Sequence, residues 1–362
     1  MSASILRRLW LLGAAILIAR AALAQAPATT LLVLAKSDNT VAIVDPATLQ
    51  VLARVAAGPD PHEIIASDDG KLAFISNYGG SDSTLNTISV VDLVARNAQP
   101  PIDLGALRST HGLAFAGGKL YFTAETNKAV GRYDPATRRV DWILGTGQDR
   151  THMVVVSQGL DQIVTSNVNS GTISIIEQVS QPGGGFGPPP GAPGPPAGTP
   201  PQGPSGQRST WEVTNVPAGK GAEGFDVSPD GKEIWAANAR DATITIIDVA
   251  TKKAVETLPI PVKGANRLKF TPDGKRVLIS GLGARAGDSS LVVIDASSHK
   301  EVKQLNLGGG AAGILIDPDG SRAYVAVSTA DKIAVVDLKT LEVVGQISAG
   351  KQPDGLAWAV RK

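Results

Sequence analysis

Residues 223–259 read EGFDVSPDGKEIWAANARDATITIIDVATKKAVETLP, four short apolar segments separated by turn residues. Each segment is rich in β-branched residues, which is typical of half-buried β-strands. Ser228-Pro229-Asp230-Gly231 predicts a tight turn with its Gly at positive φ. Asp248 predicts a second turn, because an Asp side chain accepts hydrogen bonds from nearby backbone amides. The stretch therefore predicts a four-stranded antiparallel unit, and such a unit needs neighbours to bury its faces.

The same unit recurs seven times, at a spacing of about 40–50 residues that is typical of β-propellers. The chain begins its repeats on a second strand (Leu31–Ala35) and ends them on a first strand (Asp354–Ala359). We therefore expect the last strand to complete the first blade, so that no long strand edge stays unpaired. The predicted fold class is all-β: a seven-bladed β-propeller of four-stranded antiparallel blades, closed by three N-terminal strands plus one C-terminal strand.

The predicted domain organisation is a signal peptide and one propeller. Arg7 and Arg8 precede the apolar run 9–19, and Ala22-Leu23-Ala24 forms a small-residue cleavage site. Residues 1–24 are thus predicted to be removed, leaving residues 25–362 as a propeller in the periplasm or outside the cell. Residues 181–208 consist mostly of Pro and Gly, which predicts a disordered loop inside one blade. The alternative is a Pro-rich docking ligand.

Composition excludes several classes of function. The chain has no Cys, so disulfides, thiolate catalysis, a lipidated Cys and c-type haem attachment are excluded. Its formal net charge is +1, and residues 1–24 carry three Arg and no acidic residue. The remainder is slightly acidic, which gives no electrostatic case for nucleic acid. No later segment is long and apolar enough for a membrane anchor, no nucleotide-binding motif is present, and we expect a monomer.

Three of the four histidines occupy one register, at the start of first strands in successive blades. First strands line the channel of a propeller, so these positions are predicted to ring one mouth of it. The seven residues at this register are His62, His111, His152, Glu223, Asn266, Ala312 and Asp354. The imidazoles and carboxylates predict a divalent metal site, with Zn, Cu, Ni or Mg held by His62, His111, His152, Glu223 and Asp354. The alternative is a polar lining that caps the strand starts.

A second ring is predicted where the second strands end. It contains Lys36, Asn77, Glu125, Asn167, Asn238, Gly281 and Val327. Glu125 could approach the histidines, whereas repeated Asn is also typical of turn chemistry. Arginines in connections on this face could receive an anionic ligand or simply form a solvated rim. The predicted ligand-binding residues are Asn77, Arg108, Arg150, Asn238 and Arg240.

The repeat resembles the YVTN-type β-propeller repeat. Its pattern is present as Gly224-Phe225, as Ser228-Pro229-Asp230-Gly231-Lys232, as Trp235-Ala236-Ala237-Asn238 and as the segment 244–251, ITIIDVAT. The resemblance covers nearly all of the chain after residue 24. It implies the propeller fold, while proteins with such repeats have many functions.

One blade is also similar to the blades of virginiamycin B lyase, a metal-dependent propeller that opens a cyclic ester by elimination. The similarity lies in Thr110-His111-Gly112-Leu113, in the segment 119–125 (KLYFTAE) and in the segment 128–132 (KAVGR). Ala124 departs from the family's F-T-E pattern. The resemblance implies a His base and acidic metal ligands at the channel mouth, with His111, His152 and Glu125 as the catalytic candidates.

Two active functions remain open from the sequence, beside a passive role as a structural component of the cell envelope. The first is a binding module that holds a small molecule, a metal or a protein at the His-bearing mouth. The second is a metal-dependent lyase or lactonase-like hydrolase that uses the same mouth. An enzyme predicts that His111, His152 and Glu125 converge with Glu223 or Asp354, and a binding scaffold does not require this.

Overall fold

The computed structural model describes residues 28–79, 83–181, 208–285 and 287–362. The predicted signal peptide and nearly all of the predicted Pro/Gly-rich loop lie outside the described residues. No helix in the described part of the chain is both long and apolar enough to cross a membrane.

The described residues form seven four-stranded antiparallel sheets. Blade 1 begins with β1 (Thr29–Ala35), β2 (Thr40–Asp45) and β3 (Gln50–Ala56). Blade 2 contains β4 (Pro61–Ala66), β5 (Leu72–Asn77), β6 (Thr87–Asp92) and β7 (Asn97–Asp103). Blade 3 contains β8 (Thr110–Ala116), β9 (Lys119–Ala124), β10 (Ala129–Asp134) and β11 (Arg139–Gly145). Blade 4 contains β12 (Thr151–Val156), β13 (Gln162–Asn167), β14 (Thr172–Gln181) and β15 (Arg208–Pro217).

The remaining blades follow the same order. Blade 5 contains β16 (Ala222–Val227), β17 (Glu233–Asn238), β18 (Thr243–Asp248) and β19 (Lys253–Pro259). Blade 6 contains β20 (Ala265–Phe270), β21 (Arg276–Gly281), β22 (Leu291–Asp295) and β23 (Glu301–Leu305). Blade 7 contains β24 (Ile314–Ile316), β25 (Arg322–Val327), β26 (Lys332–Asp337) and β27 (Glu342–Ile347), and β28 (Pro353–Val360) completes blade 1. Short 3₁₀ turns lie at Glu125–Asn127 and Ser328–Ala330.

The ring closes as the sequence predicts. Strand β28 pairs antiparallel with β1, and Thr29 lies opposite Val360 while Ala35 lies opposite Pro353. Hydrogen bonding therefore ties the two ends of the described chain together in one blade. The predicted seven-bladed fold is confirmed.

The apolar core lies between blades rather than within them. Buried side chains form seven clusters among the described residues, and each cluster joins two neighbouring blades. Between blades 5 and 6, for example, fully buried Trp235 packs edge-on against Phe270 at 5.5 Å between ring centres. Burial of such aromatic faces stabilises the ring, because each blade covers the apolar face of the next.

The predicted turns form as expected. Gly231 has φ +74° and donates its backbone N–H to the carbonyl of Ser228 at 2.8 Å. Asp248 Oδ1 accepts a hydrogen bond of 2.7 Å from the backbone N–H of Thr251. The Ser228–Gly231 turn follows the end of first strand β16, so it lies on the face opposite the predicted mouth, where the first strands start.

Glycines bring the first strands close together at the hub. A Cβ atom on Gly112 would lie 2.4 Å from the carbonyl oxygen of His152, and one on Gly224 would lie 2.3 Å from that of Asn266. Gly313 and Gly355 approach the next blade in the same way. Because only Gly permits this approach, the residue before each Gly is held close to its counterpart in the next blade.

Candidate functional site

The polar residues at the start of the first strands converge, as their common register predicts. Six of them are the second residue of their strand, and Ala312 precedes β24. The His62 and His111 ring centres are 5.1 Å apart, and those of His111 and His152 are 3.6 Å apart. We call this group the mouth cluster; its members are His62, Tyr78, His111, Glu125, Arg150, His152, Glu223 and Asp354.

His152 lies at the centre of the mouth cluster and has carboxylates on both sides. Its Nδ1 contacts Glu125 Oε1 directly, and its Nε2 lies 3.3 Å from Glu223 Oε1. The side chain is 1% exposed, and this burial opposes a charge on the ring. The two carboxylates outweigh the burial and raise the pKa of His152. Contact with the two carboxyl groups therefore favours the protonated form of buried His152.

The backbone of His152 is fixed from the preceding blade. Thr123 Oγ1 donates a hydrogen bond of 2.7 Å to the His152 carbonyl and accepts one of 2.9 Å from the backbone N–H of Gly112. These bonds lie in the interface between blades 3 and 4, so the packing of the blades determines where the imidazolium lies.

Each carboxylate of this pair has a further partner. Tyr78 Oη donates to Glu125 Oε2 at 2.7 Å, and Asn266 Nδ2 lies 3.4 Å from Glu223 Oε1. Burial alone would raise the pKa of Glu223, but contact with His152 and the nearby arginines lowers it to about 2. Glu223 is consequently ionised over the whole physiological range.

Arg150 lies over both carboxylates at the rim. Its Nε is 3.4 Å from Glu125 Oε2 and its Nη2 is 4.0 Å from Glu223 Oε1, longer than the roughly 2.7–3.2 Å of an ordinary N–H···O bond. The side chain is about a quarter exposed. Arg150 thus balances the charge of the pair while its guanidinium still faces solvent.

Arg150 also has an unusual backbone conformation. Its φ is +58°. Arg150 lies two positions before His152, and the residue two positions before the counterpart of His152 has positive φ in five of the other six blades. In blades 5 and 6 this position holds Gly221 and Gly264. A side chain in this left-handed region costs about 1–2 kcal/mol, and such strain is found most often at functional sites.

The other two histidines are neutral. Burial and the positive charge of Lys36 lower the pKa of His62 to about 3. Burial, followed by repulsion from His152, lowers the pKa of His111 well below its ordinary value. The His111 ring lies over the His152 ring with 31° between the planes, and its Nδ1 is buried without a hydrogen-bond partner among the described residues.

Asp354 lies on the side of the mouth next to His62. Its Oδ2 is 3.6 Å from His62 Nδ1 and 3.9 Å from Lys36 Nζ. Burial raises the pKa of Asp354 to about 6, although Arg267 opposes this change. This carboxyl therefore titrates much closer to neutrality than Glu223 does.

A buried ion pair crosses the channel beside the mouth cluster. Arg267 in blade 6 contacts Glu63 in blade 2, and both residues lie one position after the hub register. Arg267 Nη1 also donates to Asn266 Oδ1 at 3.2 Å. Since blades 2 and 6 are on opposite sides of the ring, this pair links distant blades and connects through Asn266 to Glu223.

The predicted ligand-binding residues have different positions. Only Arg150 lies in the mouth cluster. Asn77 and Asn238 are buried, and their amide groups donate to hydroxyls on the neighbouring strand, Ser89 at 3.0 Å and Thr245 at 2.9 Å. Arg240 is exposed and donates to Asn169 at 3.1 Å, and Arg108 donates to the carbonyl of Thr84 at 2.8 Å. We therefore leave these four residues out of the proposed site.

Among the described residues, the side chains predicted to bind a metal do not form a ligand set. In residues 28–79, 83–181, 208–285 and 287–362, no three His, Asp or Glu side chains are arranged to hold a metal ion. His111 and His152 overlap face to face, so their in-plane lone pairs do not meet at one point. Both nitrogens of His152 also face carboxylates. Metal binding stays a prediction.

Sequence reasoning missed Tyr78 and the Glu63–Arg267 pair. Tyr78 follows the last residue of β5, and an aromatic residue directly after a strand gives no sign of the blade it contacts. Glu63 and Arg267 are 204 positions apart in the chain. Only the closed ring brings them together, although their shared register was available as a signal.

Comparisons with known proteins agree with the fold. The model of the YNCE-like β-propeller family matches residues 205–317. Hydrazine synthase from Kuenenia stuttgartiensis is similar in structure at 17% identity and TM-score 0.63, over 82% of this chain and 89% of that chain. A functionally unknown protein from Desulfotomaculum acetoxidans is similar at 12% identity and TM-score 0.69, over 92% and 99%.

A third similar structure is a putative 6-phosphogluconolactonase from Bacteroides uniformis, at 14% identity and TM-score 0.65, over 91% of this chain and 99% of that chain. No curated protein matches the sequence. At these identities the structural similarities establish the fold alone. Together with the sheet topology they identify the chain as a seven-bladed β-propeller, which over residues 205–317 is similar to the YNCE-like β-propellers.

Proposed function

We propose that this propeller is a binding module and that the mouth cluster is its site for a small polar ligand. The fold supports a binding or scaffold role, since propellers present a rigid ring of loops around a channel. The proposal places the ligand at the rim, where Arg150, Glu223, His62 and Asp354 are each partly exposed.

The position of buried His152 between the carboxyl groups of Glu125 and Glu223 is the single observation that carries this proposal. Removing two carboxylates and an imidazolium from water is expensive, and an apolar hub would be at least as stable. Strongly shifted pKa values around one concave site are typical of functional sites. His62 and Glu223 both show such shifts within this cluster.

The chemistry of the histidines favours binding over base catalysis. An effective general base has a pKa near the working pH. Both nitrogens of His152 face carboxyl groups, which favour its protonated form. His62, with a pKa of about 3, is too weakly basic to accept a proton efficiently. His111 is almost fully buried.

The alternative proposal is a lactonase-like hydrolase or a lyase. One observation favours it: Asp354 has a pKa of about 6, in the range where a carboxylate serves as general base near neutral pH. Ring-opening of simple γ- and δ-lactones, measured by pH-stat, tests it. Turnover that disappears in Asp354→Asn would support the enzyme, and turnover unchanged in that variant would refute this role.

We further propose that the protein acts outside the cytoplasm after removal of residues 1–24. The basis is the Arg pair, apolar run and Ala-Leu-Ala site of the sequence. Cell fractionation and N-terminal sequencing test this proposal. An N-terminus at Gln25 in the periplasmic fraction is expected, and an intact Met1 in the cytoplasmic fraction would contradict it.

The binding proposal is tested with a variant that should retain the fold. Arg150→Gly introduces the residue found at the same position in blades 5 and 6, so the backbone conformation is preserved. Wild type and variant are melted with and without a small-molecule fraction of cell extract. Stabilisation of the wild type alone supports the proposal. Equal shifts, or no shift in either protein, would refute a ligand site at Arg150.

A further inference from the structure

Asp354 has a carboxyl group that is buried and yet lacks a hydrogen-bond donor. The residue is 9% exposed. Its nearest cationic or imidazole atoms are His62 Nδ1 at 3.6 Å and Lys36 Nζ at 3.9 Å, both beyond hydrogen-bond range. No described residue donates a hydrogen bond to this carboxyl. Buried carboxylates are normally hydrogen-bonded, and this one, with its side chain 13% exposed, can take a donor from the solvent side.

Further acceptors surround the same side of the mouth. Asp60 Oδ1 lies 3.3 Å from His62 Nε2, and the side chains of Glu63 and Glu223 are 14% and 16% exposed. Arg267 pairs with Glu63 and Arg150 lies over Glu223, while Lys36 Nζ lies 3.9 Å from Asp354 Oδ2. The partly exposed groups therefore offer more hydrogen-bond acceptors than free donors.

A second unpartnered group belongs to the same cluster. His111 is 2% exposed, and its buried Nδ1 has no partner among the described residues. Its ring lies 5.1 Å from His62 and 4.9 Å from Tyr78. Neutral imidazole and phenol rings beside a carboxylate form a surface that suits a cation, because their faces are electron-rich.

We infer that the Asp354 side of the mouth binds a primary ammonium group of a small molecule. This inference rests on the proposed binding function of the mouth cluster. An ammonium group carries one positive charge and three N–H donors, which match a carboxylate that lacks a donor and has other acceptors nearby. A neutral hydroxyl supplies one donor and no charge.

The test uses three probes of similar size: n-propylammonium, 1-propanol and propionate. They are titrated into the chain from residue 25, labelled with ¹⁵N at its histidines, and the side-chain signals are followed by NMR. His62 should respond to propylammonium alone. His299, which lies in an outer turn and pairs with Glu256, should stay unchanged and serves as an internal control.

Two variants locate the binding. Asp354→Asn introduces the residue that Asn266 supplies at the same register in blade 6, and it should weaken propylammonium binding about tenfold or more, the value of a charged hydrogen bond. Asp68→Asn removes an exposed carboxylate from the opposite face and should change nothing. If Asp354→Asn does not fold, the wild-type protein decides whether propylammonium binds beside Asp354. The His62 signal should then shift with propylammonium while the His299 signal does not.

The outcomes separate this inference from the binding function. A response of His62 to propanol or propionate equal to that to propylammonium would overturn the ammonium assignment and leave the mouth as a binding site. Displacement of propylammonium by zinc or magnesium chloride would assign the position to a metal ion and overturn it as well. No response to any probe would refute it, while stabilisation by extract that depends on Arg150 would still support the binding function.

Discussion

Replacing Arg267 by Met should destabilise the whole ring, because this residue links blades 2 and 6 through Glu63. The Arg267 and Glu63 side chains are 9% and 14% exposed, so solvent screens the pair only weakly. Removing one partner of such a pair costs about 3–5 kcal/mol, since the other charge stays buried. The negative charges of Asp354 and Glu223 also act on Arg267. We therefore expect the upper part of that range.

Urea unfolding followed by tryptophan fluorescence measures this loss. Adding Glu63→Gln to Arg267→Met should recover about 1–3 kcal/mol, because the double variant no longer buries an unpaired Glu63 carboxylate. Lys232→Met is the matched control: it removes a cation that faces Asp230 at 2.9 Å on the exposed surface, and no measurable loss is expected. A loss below about 1 kcal/mol for Arg267→Met, or strictly additive effects, would refute the reasoning.

Three further predictions concern the hub. Gly224→Ala should destabilise the protein by about 1–3 kcal/mol, because its Cβ would lie 2.3 Å from the Asn266 carbonyl oxygen. The control Gly145→Ala, with open space around the new Cβ, should leave stability nearly unchanged. Equal urea midpoints for the two variants would contradict this prediction. Glu223, with its pKa lowered to about 2, should contribute stability that is complete above its ordinary pKa of 4.5 and is lost as the pH falls towards 2. Glu223→Gln should reduce the loss of stability as the pH falls from 4.5 towards 2. An unchanged loss would contradict the contact between Glu223 and His152. The free energy of unfolding of Arg150→Gly should stay within about 1 kcal/mol of the wild-type value, because relief of left-handed strain offsets the lost charge contact. A larger loss in thermal melts would show that Arg150 stabilises the fold.

The fold could be predicted from the sequence because each blade carries its own signals. A turn with Gly at its φ-positive position, as at Gly231, and an Asp that caps the next turn, as at Asp248, fix the strand order locally. The repeats begin on a second strand and end on a first strand, and this mismatch specifies that the last strand completes the first blade. The turn signals lie within about 50 residues of one another, and only the closure of the ring depends on strands far apart in the chain.

The candidate site was only partly predictable. The common register of His62, His111 and His152 predicted their convergence, since equal positions in equal blades lie at equal heights along the channel. Which atoms meet depends on side-chain direction, which the register does not specify. The stacking of His111 on His152, and the contact of Tyr78 with Glu125, follow from the packing of neighbouring blades.

The asparagines have partners that their predicted role did not include. Asn77 and Asn238 end second strands near the mouth, which suggested ligand binding. Their amides instead hold hydroxyls of the adjacent strand, and both residues are almost fully buried. A Thr-x-Ser or Thr-x-Thr pair at the start of the third strand, as at Thr243 and Thr245, is the sequence signal that would have identified this structural role.

Side-chain ¹⁵N NMR of the histidines at neutral pH tests most directly the claim that the mouth holds one charged imidazole among neutral ones. The account predicts a doubly protonated His152 and neutral rings for His62 and His111, with the spectrum unaffected by a chelator. Three histidines that titrate together near the ordinary value of about 6.5, or signals that all shift when a chelator is added, would contradict it.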